Sequence, residues 1–193
     1  MISNEESLLR SLNTRICALK MLSKVASFRT RKMVADGIFM SKLIYLVPLW
    51  GGSAKNIIAA LQKAQNRAAR VVTRLDWATH TVELLRQCGW LSIHQLVVYH
   101  SVVLVHQIIK NESPRFLFSM FSAKYSYNTK QAKMGFIKHT RDLDLSITQD
   151  SFRWRASQHY NELPIHIRNS DTIENFKKAC KAWIVENTPL APP

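Results

Sequence analysis

Ser53-Ala54-Lys55-Asn56-Ile57-Ile58-Ala59-Ala60-Leu61-Gln62-Lys63-Ala64-Gln65-Asn66-Arg67-Ala68-Ala69-Arg70-Val71-Val72-Thr73-Arg74-Leu75 follows a Gly51-Gly52 break and contains no glycine or proline. At about 100° per residue, Ile57, Leu61, Ala64, Ala68, Val71, Val72 and Leu75 gather on one side, while Lys63, Arg67, Arg70 and Arg74 fall within an arc of roughly 60° across from them. The pattern predicts a helix from a Ser53 cap to about Leu75, docked through its apolar side and showing water a narrow line of cations. A solvated helix face ordinarily mixes signs at i,i+4. Here every close pair is like-charged, which costs the helix about 0.2–0.5 kcal/mol per pair. No acid lies between Asp36 and Asp76 to relieve the repulsion. A bound polyanion would relieve it; surface solubility is the plainer alternative.

Helical spacing continues on both sides of this stretch. Leu8, Leu9, Leu12, Ile16, Leu19 and Leu22 predict a first helix over about 5–25. Thr30 is the expected cap of a second, which carries Val34, Ile38, Leu43 and Ile44 and ends before Pro48. Thr79 is expected to start a short helix over Val82–Cys88, closed by Gly89 in the left-handed conformation. Ser92 then caps an apolar run, Ile93–Ile109, whose length favours a buried helix although its valines suit a strand. From Ser113-Pro114 to Gln149 the chain is polar and irregular, with a hairpin predicted over His139–Ile147. Helices are expected again over 150–161 and over 172–186, the latter capped by Ser170 or Asp171, and the proline-rich end is expected to fray. The resulting fold class is mainly α: a helical bundle over 1–120, an irregular linker over 121–149 and a small C-terminal helical appendage over 150–193.

Charge narrows the function. The 193 residues hold 27 Lys and Arg against 13 Asp and Glu, a net charge of +14 with a pI near 10.1. Residues 1–75 carry thirteen of those bases and only three acids, so a polyanion site belongs in the first half. Arg29, Arg31 and Lys32 cluster at the expected start of the second helix, where the dipole disfavours cations by about 0.3–1 kcal/mol. A phosphate there would be held by side chains and free backbone N–H groups together. Trp50 and Trp77 are candidates for base stacking, against the plainer reading of core or rim packing.

Catalytic patterns are missing from the sequence. Asp142-Leu143-Asp144 with Asp150 is the one close carboxylate group, more simply read as polar turn residues than as a magnesium site. There is no Cys-x-x-Cys, and His94, His100 and His106 are spaced so that each turns about 240° from the last, too far to converge on one metal. Neither a cofactor nor a metal is expected. Cys17, Cys88 and Cys180 are odd in number and widely spaced, and no signal peptide is recognisable. Together these suggest a reducing intracellular setting, nucleus or cytoplasm. No membrane partner is expected, because Met33–Trp50 is interrupted by Asp36 and Lys42 and Leu96–Ile109 is too short to span.

Several runs resemble a known family. Phe28-Arg29-Thr30-Arg31-Lys32, Ser41-Lys42-Leu43-Ile44-Tyr45 and Leu49-Trp50-Gly51 resemble the "F-x-x-R…SKLxYxxxLWG" run after the polymerase core of LINE-type, jockey-like non-LTR retrotransposon reverse transcriptases. Leu61–Arg70 is similar to that family's "LQxxQNxAxR" helix, and Gly89-Trp90-Leu91-Ser92-Ile93 to its "GWLSV" turn. Asn128-Thr129-Lys130 resembles "N-T-R", Tyr160-Asn161-Glu162-Leu163-Pro164 resembles "W-N-x-L-P", and Phe176-Lys177 the closing "FK". The ordered matches span nearly the whole chain, with Lys130 departing from Arg and Tyr160 from Trp. The family's polymerase needs a Tyr-x-Asp-Asp turn, and this chain has no adjacent aspartates. The resemblance therefore implies a non-catalytic, thumb-like region and its C-terminal extension, lacking the fingers and palm, which would lie upstream of Met1. Its role would be to grip template and primer, RNA or DNA, beside the polymerase core. Three alternatives stay open: a structural module that docks on that core, a mobile-element remnant without function, or an enzyme using Asp142, Asp144 and Asp150.

Overall fold

A computed structural model describes residues 4–45, 47–52, 54–121, 136–137 and 152–190, and every regular element among them is helical. The protein is mainly α-helical, with no strand among the described residues. The hairpin predicted over His139–Ile147, the Asn128-Thr129-Lys130 run and Asp142, Asp144 and Asp150 lie outside the described residues. The chain divides into two compact units, 1–96 with 189–193 and 97–188.

The first unit is built from α1 (Asn4–Ser23), α2 (Phe28–Ala35), α3 (Ser41–Ile44), α4 (Val47–Trp50), α5 (Lys55–Thr73), α6 (Thr81–Cys88) and the first turn of α7 (Ile93–Asn111). α1 packs along α5, burying Leu12, Ile16 and Leu19 beside Leu61, Ala68 and Val72. Between α2 and α3 the helix continues through five residues of π-helix, Asp36–Met40, which the periodicity does not reveal. A π turn displaces carbonyls from the normal i−4 ladder. Arg15 of α1 takes one of them, its Nη1 donating to the Ile38 carbonyl at 2.9 Å.

The caps correct several expectations. Ser27, not Thr30, caps α2: its Oγ accepts from the Thr30 N–H at 3.3 Å, and the two hydroxyls also meet. α5 begins after Ala54 with no side-chain cap, and α6 after His80 instead of Thr79. Gly89 does adopt the left-handed conformation, φ 63°. The Trp90 N–H then reaches back to the Leu85 carbonyl at 2.9 Å and the Gly89 N–H to Arg86 at 3.0 Å, the Schellman pattern that glycine permits. Ser92 caps α7 as expected: its Oγ accepts from the Gln95 N–H at 3.2 Å, and Gln95 Oε1 accepts from the Ser92 N–H at 3.1 Å.

Polar side chains of α5 hold this α6–α7 turn. Fully buried Gln65 donates to the Leu91 carbonyl at 2.8 Å, and Gln62 accepts the Ile93 N–H, one of the orphan donors at the start of α7, at 2.8 Å. Asn66 donates to the Thr81 hydroxyl at 3.0 Å. Trp90 closes the turn, stacked near Phe39 and donating its indole N–H to Asp36 at 2.8 Å. The Leu61–Asn66 and Gly89–Ile93 runs thus meet as two halves of one joint.

The second unit comprises the rest of α7 with α8 (Arg115–Phe121), α9 (Phe152–Glu162), α10 (Ile165–Arg168) and α11 (Ile173–Asn187), the last capped by Thr172 where Ser170 or Asp171 was expected. Its core joins Val102, Val105, Ile108, Tyr160, Phe176 and Ile184. His106 lies inside that core, stacked on Phe176 at 3.7 Å between centroids and in hydrogen-bond contact with the Tyr160 hydroxyl at 3.2 Å. Asn161 brackets Ile137, accepting its N–H and donating to its carbonyl, both at 2.9 Å. No single described helix is long and apolar enough to cross a membrane.

Candidate nucleic-acid interface

Lys63 and Arg67 of α5 are exposed, as the periodicity expects, whereas Arg70 is half-buried and Arg74 lies past the end of the helix. Lys63, Arg67 and Arg70, with Asn66 and Ala60, form one wall of an open groove of about 480 Å³; Leu9 and Asn13 of α1 form the other. The floor is apolar where Leu9 and Ala60 approach, and the rim is cationic. Arg67 bridges it, donating from Nη2 to Asn13 Oδ1 at 2.9 Å. Lys63 is exposed and makes no hydrogen bond or ion pair among the described residues. Arg70 is half buried, its Nη2 donating to the carbonyls of Trp77 at 3.1 Å and Thr79 at 3.4 Å. Its Nε is shielded from water and has no partner among the described residues.

Arg74 lies just past the helix, in the left-handed conformation at φ 60°. Non-glycine residues are uncommon there. Its guanidinium donates to the Ser23 carbonyl, tying the end of α5 to the end of α1. No carboxylate among the described residues pairs with Lys63, Arg67, Arg70 or Arg74. The stripe is partly engaged by neutral carbonyl and amide oxygens, and among the described residues no carboxylate compensates its charge.

The second cluster does not form the site expected of it. Arg31 is buried, and its Nε and Nη1 donate to the carbonyls of Val72 and Ala26, both at 2.7 Å. Desolvation and the neighbouring Arg74 both hold its pKa below the ordinary arginine value. A guanidinium committed on two sides inside the fold cannot hold a strand, so Arg31 is a structural cation at the carbonyl end of α5, where the dipole favours it. Lys32 pairs with Asp36 and lies 5.7 Å from the Trp90 ring centroid. Arg29 alone remains exposed. The Ser27 cap also places these residues within α2, not at one converging anion site, and uses the Thr30 N–H that a phosphate would need.

Of the two tryptophans, Trp77 is 82% exposed, which removes it from the core. The Trp50 side chain lies outside the described residues. Asn13 is a groove residue that the sequence did not single out, having no signal until α1 and α5 are known to lie side by side, and Asn66 enters the sequence reading only as part of the Leu61–Arg70 resemblance. Among the described residues no three His, Cys, Asp or Glu side chains come together as a metal site. Comparison with protein-family models, with curated proteins and with solved structures found no match.

Proposed function

We propose that the first unit is a non-catalytic nucleic-acid-binding module that grips the phosphate backbone of RNA or DNA in the α1–α5 groove. The observation that carries this reading is the line of Lys63, Arg67 and Arg70 on α5, continued by Arg74 at its end, with no carboxylate partner among the described residues and the first three lining one groove. A carbonyl is a weaker partner for a guanidinium than a phosphate oxygen, so Arg67, Arg70 and Arg74 can exchange or share their present hydrogen bonds with a ligand. Lys63 supplies a point charge with no competing partner. The resemblance to the region after the polymerase core of LINE-type reverse transcriptases gives this module a natural substrate, a template–primer, and a natural neighbour, the fingers and palm.

Binding by backbone neutralisation is tolerant of sequence and steep in salt. The test is fluorescence-anisotropy titration of a labelled primer–template against the full chain across a salt series. Lys63→Gln with Arg67→Gln should lower affinity and reduce the slope of log K against log salt by roughly 1.4–1.8, about 0.7–0.9 for each phosphate no longer neutralised. An unchanged slope and affinity in that double variant would refute the reading.

A second reading, docking on a polymerase core, is favoured by the exposed apolar side chains Met21, Val25 and Met33, which are 75%, 87% and 68% accessible. It expects the wild-type chain to ignore the primer–template and to bind a separately expressed palm fragment.

A further inference from the structure

Trp77 is more exposed than Phe28, Tyr45 or Phe116, the other large aromatic rings on the described surface. An indole left in water forgoes the apolar burial it would gain in a core, and tryptophan is on average a well-buried residue. The turn that presents it is nevertheless well held. The Trp77 N–H donates to Asp76 Oδ1 at 2.5 Å, and the Thr79 N–H donates to the Asp76 carbonyl at 3.1 Å. The Trp77 carbonyl accepts from Arg70 at 3.1 Å. Arg70 is also a wall of the cationic groove. One side chain therefore holds the turn carrying the exposed ring and lines the cationic groove.

We infer that Trp77 is a stacking platform for an unpaired nucleobase, so that the groove takes a single strand or a duplex end with an overhang in preference to continuous duplex. This rests on the groove binding nucleic acid and adds the form of the ligand. Within a duplex both faces of a base pair are covered by the neighbouring pairs, and an indole can reach a base face only at a terminus or an unpaired position. Stacking needs no hydrogen-bond readout, so the site accepts any base. The pinned backbone removes most of the ordering cost, because the ring is presented before the ligand arrives. Asp76, the acid next to Trp77 in the chain, has its Oδ1 engaged by the Trp77 N–H.

The experiment compares a blunt duplex, the same duplex with a short overhang, and the single strand, each with the fluorescent base 2-aminopurine at the unpaired or terminal position. The full chain and its Trp77→Ala and Trp77→Phe variants are titrated by anisotropy and by aminopurine emission. The wild type should prefer the overhang to the blunt duplex at least about fivefold and quench the unpaired aminopurine. Trp77→Ala should lose the preference and the quenching while still binding the duplex with the wild-type salt slope; Trp77→Phe should keep most of both. Equal affinity for blunt and overhanging duplex, or quenching that survives Trp77→Ala, overturns the inference and leaves the groove reading intact. No binding to any of the three overturns both. Anionic phosphatidylserine vesicles form a last arm: Trp77-dependent binding to them without aminopurine quenching assigns the ring to a lipid surface and overturns the inference.

Discussion

His106 shows how one buried residue sets a pH limit. Its ring is 1% exposed, stacked on Phe176, and its Nε2 has no hydrogen-bond partner among the described residues. Desolvation, helped by Lys110, lowers its pKa from 6.5 to about 4. His100 is shifted the same way by burial and by Lys177. The unfolded chain therefore binds more protons than the folded one between these values, so stability is complete above about pH 6.5 and falls as pH drops towards 4. A loss on the order of 2–3 kcal/mol is expected by pH 4 from His106 alone. Urea unfolding followed by amide exchange in residues 97–111 at pH 7 and pH 5 should show the loss, and His106→Gln should flatten the pH dependence. The apolar run around His106 was visible in the sequence as a helix. That its histidine would stack on Phe176 was not, because the two residues meet only once α7 and α11 pack.

At the scale of elements, α5 was the most legible part of the chain and also the most incompletely read. Its period gave the helix, the exposure of Lys63 and Arg67, and Leu61, Ala64, Ala68 and Val72 of the buried face, while Ile57, Val71 and Leu75 are only half-buried and Ile58, Gln65 and Ala69 face the core instead. It could not say which oxygens the arginines would meet, because Asn13 and Ser23 come from α1 through tertiary packing. The same gap hid Arg31. In sequence it belongs to a basic triplet, and in the fold it caps the last turn of α5 from 41 residues away. Removing it leaves the buried bond to the Val72 carbonyl and the part-buried bond to the Ala26 carbonyl unmade, so Arg31→Met should destabilise the first unit by about 2–4 kcal/mol, read as a lower melting temperature. Arg29→Gln, on the exposed side of the same helix, should leave the melt unchanged. A mild effect of Arg31→Met would mean that water or another donor already serves those carbonyls. The π turn at Asp36–Met40 was hidden for a different reason. An inserted residue shifts the face of everything after it, and Met33–Trp50 is apolar enough that either register looks amphipathic.

Across the whole molecule the charge asymmetry has a structural counterpart. Thirteen of the 27 basic residues and only three of the 13 acids fall within residues 1–75, all in the first unit. The cationic groove belongs to that unit, and the exposed lysines of α11, such as Lys178 and Lys181, belong to the other. If the groove carries the binding, Lys178→Gln with Lys181→Gln should leave affinity and salt slope for a primer–template within experimental scatter. A slope that falls as much as it does for Lys63→Gln with Arg67→Gln would show that net charge alone, not the groove, attracts the ligand. The ordered runs that resemble the reverse-transcriptase family also acquire physical roles. Gln62 and Gln65 fasten the turn after Gly89 and Trp90, Asn66 holds the start of α6 through Thr81, and Asn161 fastens Ile137. Gln62 and Gln65 maintain shape, whereas Asn66 and Arg70 of the same run also line the groove.

The double attachment of Arg70 also ties the groove to the loop beside it. Its Nη2 bonds hold residues 77–79, while its position in the groove exposes it to whatever enters there. A phosphate that shared that guanidinium without displacing its two carbonyls would leave residues 77–79 in place, so the cleft and the loop beside it stand or fall on one side chain.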